Sequence, residues 1–109
     1  MLVSEEMVQQ AFDWLHDNRQ ASAHAKAMRI RAEYAVKKAR SKAFLDATGN
    51  NAEREAKAMQ TDEYDKAVEE EIVAIEADEF HRNQRNRCGA IIEAWRTEQS
   101  NLRSMAKIA

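Results

Sequence analysis

The stretch DEYDKAVEEEIVAIEADEFHRNQRNRCGAIIEAWRTEQSNLRSM, Asp62 to Met105, decides the fold. It holds no proline, and its one glycine, Gly89, costs a helix only about 1 kcal/mol relative to alanine. Thr61-Asp62-Glu63 opens it with a capping hydroxyl and acids suited to the positive end of a helix dipole. The pattern predicts one helix over 62–105, on the order of 65 Å long at about 1.5 Å per residue. Its apolar residues fall into two clusters. Tyr64, Val68, Ile72 and Ile75 make the first, and Cys88, Ile91, Ile92, Trp95 and Leu102 make the second. The segment 81–87 between them is entirely polar and rich in arginine. There the helix is expected to leave one packing partner and meet another, or a ligand.

Upstream, the sequence supplies something for that helix to pack on. Residues 19–47 read as a second helix with a row Ala21, Ala25, Met28, Ala32, Ala35 and Ala39, spaced alternately by four and three residues. Such spacing marks a helix–helix seam. Alanine there lets two backbones approach but contributes little buried area. Gly49 should end this helix, because glycine accepts the left-handed conformation a helix stop requires. Asn50 followed by Glu53 is a capping box that restarts the chain in a short helix, 52–60. At the beginning of the chain, Ser4 caps a first helix over 5–16. Val3 can staple onto Val8, and Val8, Ala11, Phe12 and Leu15 form an apolar stripe. Asp17-Asn18 is a stop or a bend. The expected architecture is therefore all-α: a single helical domain, 1–109, built as a long antiparallel helical hairpin with a short N-terminal helix. With aromatics only 6% of the residues, an alanine seam cannot cover all the apolar surface, so a homodimeric or higher-order bundle is expected.

Charge is segregated. Residues 1–18 carry −4, 19–47 carry +6, 48–79 carry −8 and 80–109 carry +4. These blocks admit three readings. The basic helix can fold onto the acidic segment and neutralise it, each surface pair contributing about 0–1 kcal/mol. Alternatively, Lys26, Arg29, Arg31, Lys37, Lys38, Arg40 and Lys42, with Arg82, Arg85 and Arg87, form a sequence-independent phosphate-binding surface. These cations lie at several angles around the helix, and nothing resembles a base-reading motif. In the third reading, the acids from Glu69 to Glu79 imitate nucleic-acid phosphates toward a basic partner.

Enzyme chemistry finds little support. Asp13 with His16, and Asp78 with His81, have the spacing of one half of a carboxylate-bridged metal site. The further carboxylates such a site needs are not identifiable, so no metal or other cofactor is assigned. There is no phosphate-binding glycine loop and no nucleophile with a triad around it. Cys88 reads as a packed residue beside Gly89 at a helix crossing, His24 as solvated, and Trp14 and Trp95 as edge residues whose indole N–H needs a partner. A single cysteine, an acidic N-terminus without a signal peptide's pattern, and no apolar run of roughly 20 residues make a cytoplasmic protein without membrane association the expectation.

The string Ile92-Glu93-Ala94-Trp95-Arg96-Thr97-Glu98-Gln99-Ser100-Asn101-Leu102-Arg103, with Ala52-Glu53-Arg54-Glu55 and Tyr64, resembles small helical proteins of tailed bacteriophages and prophages from DNA recombination or replication modules. The resemblance spans roughly residues 25–105, with Glu93-Ala94-Trp95-Arg96-Thr97 as its distinctive part. It implies an accessory role in the host cytoplasm and brings no site residues with it. Ile91, Ile92, Trp95, Arg96 and Leu102 form the expected partner interface: an apolar stripe with an arginine rim. Function at this stage is a non-catalytic interaction protein, with nucleic-acid binding and a metal-dependent helical enzyme as alternatives.

Overall fold

A computed structural model describes residues 2–108 and contains four helices: α1 (Glu5–Asp17), α2 (Arg19–Asp46), α3 (Asn51–Ala58) and α4 (Asp62–Ile108). No strand occurs among the described residues, and no helix there is long and apolar enough to cross a membrane. The expected all-α fold and its four helices are present. Their ends shift by up to three residues. Gly89 lies inside α4 without interrupting it.

Local chemistry accounts for the boundaries. Ser4 Oγ accepts from the Met7 amide at 3.1 Å and caps α1. Asn18 ends it, with both its backbone and side-chain N–H groups donating to the Trp14 carbonyl at 3.0 Å. Gly49 adopts φ +112°, and Glu53 fills the space that a Cβ at Gly49 would need. Asn50 Oδ1 then accepts from the Glu53 amide at 2.9 Å to start α3. Thr61 Oγ1 donates to the Ala58 carbonyl and accepts from the Tyr64 amide, which joins the end of α3 to the start of α4.

The chain divides into two compact units, one of residues 1–22 with 80–109 and one of residues 23–79. In the first, α1 runs antiparallel to the C-terminal part of α4. The Val3 amide donates to both Glu98 carboxylate oxygens at 3.1 Å, while Trp14, near the other end of α1, lies against His81. Between these contacts Ala11, Cys88 and Ile92 form a buried cluster, edged by Trp14, Leu15 and Ile91. Cys88 packs against Ala11 of α1, as a packed cysteine should, while Gly89 beside it has open space where a side chain would stand.

In the second unit, α2 and the N-terminal part of α4 form an antiparallel hairpin closed by Gly49 and α3. Arg54 of α3 donates to the Phe44 carbonyl at 3.1 Å and stacks its guanidinium 4.2 Å from the Phe44 ring centre. The shielded row of α2 in this unit is Ala25, Arg29, Ala32, Val36, Ala39 and Ala43. The expected row is thus half right. Ala25, Ala32 and Ala39 lie in the seam, but Ala21, Met28 and Ala35 are exposed. The second line of the seam runs one position later, through Arg29, Val36 and Ala43, with Ser22 of the first unit at the same spacing. In α4 the matching row is Tyr64, Ala67, Glu71, Ala74 and Asp78. Both rows alternate three and four residues, the period of a coiled-coil seam. Val68 and Ile75 are half-buried beside it, whereas Ile72 is exposed.

Candidate interaction surface

The cations singled out in the sequence separate by unit. Lys26, Arg29, Arg31, Lys37, Lys38, Arg40 and Lys42 belong to the hairpin, and Arg82, Arg85 and Arg87 to the other unit.

Within the hairpin the seam takes up Arg29. Its guanidinium donates to Glu79 at 3.0 Å and Asp78 at 3.3 Å, and its Nε lies 3.5 Å from Glu33. The hydrogen bond to Glu79, followed by that to Asp78 and the charge of both acids, holds its pKa above the ordinary arginine value despite some desolvation. Arg40 reaches Glu55 of α3 at 4.0 Å. These contacts of Arg29 and Arg40 join the basic segment to the acidic one, in line with part of the expected neutralisation.

The remaining cations of α2 are exposed. Arg31 leans on Met28 Sδ at 3.8 Å, and Lys37 Nζ stands 5.8 Å from the Tyr34 ring centre. Arg31, Tyr34, Lys38 and Leu45 form a row with coiled-coil spacing. Tyr34 is two residues from both Ala32 and Val36 of the seam, about 200° around the helix, so the row faces away from α4. Tyr34 is 61% and Leu45 73% exposed. Sequence reasoning placed the cations and read Tyr34 and Leu45, with Ile30, Val36 and Phe44, as widening the apolar surface of this helix, but did not set Tyr34 and Leu45 apart as an outer row. The signal available was their offset from the alanine row.

In the other unit, Arg85 is half-buried on the shielded row of α4, and Arg87 lines a cleft of about 240 Å³ with Met7, Trp14, Cys88 and Ile91. Arg82 is exposed to solvent. The stripe expected to meet a partner meets α1 instead at Ile91 and Ile92. Trp95 is half-buried, Arg96 is exposed and bound to Glu93 at 3.0 Å, and Leu102 is exposed. Only the outer part of that stripe remains open.

The two Asp–His pairs are engaged separately. Asp13 and His16 are exposed, with Asp13 accepting from Gln9. Asp78 is held by Arg29, and His81 Nδ1 lies 3.0 Å from Ser22 Oγ. Among the described residues no three His, Cys, Asp or Glu side chains converge as a metal site would require. No protein family, no curated protein and no solved structure matches the chain.

Proposed function

We propose that this chain is a non-catalytic helical interaction protein, phage- or prophage-derived, that acts as an accessory to DNA recombination or replication. The observation that carries the reading is the outer row of α2, where Tyr34 stands exposed between Arg31 and Lys38 and Leu45 stands exposed two turns beyond Lys38, at coiled-coil spacing. A second stripe of this kind on the far side of a helix suits a partner helix with an acidic, part-apolar face. The phage-like string from Ile92 to Arg103 supports the setting. Capture from phage-infected, nuclease-treated cells tests it. Tyr34→Asp with Leu45→Asp should abolish recovery of the partner while leaving helix content unchanged. Equal recovery by wild type and variant would count against the outer row.

A second reading is sequence-independent nucleic-acid binding, favoured by the exposure of Lys26, Arg31, Lys37, Lys38 and Lys42. Phosphate contacts give affinity that falls as salt rises, with a log–log slope of about −0.9 per contact on duplex DNA. Lys37→Glu with Lys38→Glu should flatten that slope. No binding at low salt removes this reading.

A further inference from the structure

One side of the hairpin is self-complementary, and we propose that a second copy of this chain docks there. The patch adjoins the outer row of α2, because Lys37 stands 5.8 Å from the Tyr34 ring centre, but the inference does not rest on that row. Arg29 identifies the side, because from the seam it holds Glu33 of its own helix and Glu79 of α4. One turn and two turns from Glu33, on the same face of α2, lie Ile30, Lys26 and Lys37. One and two turns before Glu79, on the same face of α4, lie Ile75 and Ile72. Ile30 is 45% and Ile72 43% exposed, and Ile75 is half-buried. Branched aliphatic side chains thus run along both helices on one side, without a covering element within the hairpin.

The charges around them commit the occupant. Ile30 is bordered on α2 by Lys26 and Lys37 and by Glu33, whose charge is paired with Arg29 at 3.5 Å, so the lysines set the net sign of this edge. Ile72 is bordered by Asp65, Glu69 and Glu76, all on α4. One edge of the patch is cationic and the other anionic. A two-fold axis parallel to the helices lays each copy's α2 row on the other copy's α4 row, so that lysines meet acids along both edges. A two-fold axis across the helices lays like charge on like. The pattern therefore selects an arrangement as well as a partner: a four-helix bundle made from two hairpins, with Ile30, Ile72 and Ile75 of both copies at its centre.

Charge-swapped variants of the full chain test this. Lys26→Glu with Lys37→Glu makes both edges anionic, and Glu69→Lys with Glu76→Lys makes both cationic. In sedimentation equilibrium the wild type should dimerise. Each variant alone should associate more weakly by on the order of tenfold or more. An equimolar mixture of the two variants should recover a heterodimer of wild-type strength, which also shows that both have folded. A monomeric wild type overturns the proposal. So does dimerisation of either variant at wild-type strength, which would place the contact elsewhere, or a mixture that associates no better than its components.

Discussion

Ser22 and His81 meet inside the first unit, Oγ to Nδ1 at 3.0 Å, with Ser22 almost fully buried. His81 is therefore the residue at which α4 touches both neighbours: Ser22 of α2, and Trp14 of α1, whose ring centre lies 5.9 Å away. Phe80 sets its ring edge-on to the imidazole at 5.6 Å. The polar segment 81–87 thus opens with a side chain that joins helices, at the segment where the sequence predicts that α4 leaves one packing partner and meets another. Ser22→Ala leaves the imidazole nitrogen without its partner and should destabilise the protein by about 1–2 kcal/mol. Adding His81→Leu should recover most of that loss, because both groups are then apolar. Urea denaturation of the single and double variants checks this; an additive double variant would mean that the two residues do not act as a pair.

Arg29 should matter more than the exposed cations of α2. Arg29→Met leaves Asp78 and Glu79 as adjacent carboxylates without their shared cation, and the melting temperature should fall. Lys38→Met should leave it nearly unchanged. The pKa shift gives a sign. Because the folded-state pKa of Arg29 is raised, its contribution is fully present below the unfolded value and is lost only as pH rises through the folded one. Both lie in the arginine range, so titration of Arg29 itself should produce no pH dependence through neutrality. Thermal melts of wild type and Arg29→Met across the neutral range measure it.

The two glycines should respond to alanine in opposite directions. At Gly49 the positive φ and the side chain of Glu53 both oppose a Cβ, and Gly49→Ala should cost about 1–2 kcal/mol. At Gly89 the helix is regular and the space is open, so Gly89→Ala should stabilise by up to about 1 kcal/mol. Chemical denaturation of the two variants side by side is sufficient. A destabilised Gly89→Ala would reveal that this position needs its missing side chain.

Ile92 anchors α4 against α1. It is 7% exposed and packs with Ala11 and Cys88, so Ile92→Ala should cost about 2–4 kcal/mol. Leu102, on the exposed continuation of the same stripe, should tolerate alanine within about 0.5 kcal/mol in the isolated chain. Equal losses at both positions would mean that Leu102 is also covered.

Much of this architecture could be read from residue types alone. Ser4, Gly49, Asn50 and Thr61 act locally, through caps and a positive φ, and their effects appeared where expected. The alanine row of α2 was only half legible. Ala25, Ala32 and Ala39 are small and apolar, as a seam demands, but Ser22 and Arg29 look like surface residues until their partners His81, Asp78 and Glu79 are in place. The packing of α1 on Ile91 and Ile92 of the expected partner stripe was not legible for a related reason. The stripe's apolar character was plain, whereas its occupation by α1 depends on contacts between residues about eighty positions apart. Tyr34 and Leu45 were legible as apolar surface of α2, but their place on the side away from α4 depends on which residues form the seam.

The central claim is that the outer row of α2 binds a protein. A photo-crosslinking amino acid at position 34 tests this most directly, in host cells during phage DNA recombination, with the same group at Ala32 in the seam as control. The account predicts a covalent adduct from position 34 to a protein of the recombination or replication machinery, and none from position 32. Adducts to nucleic acid alone, or equal labelling from both positions, would contradict it.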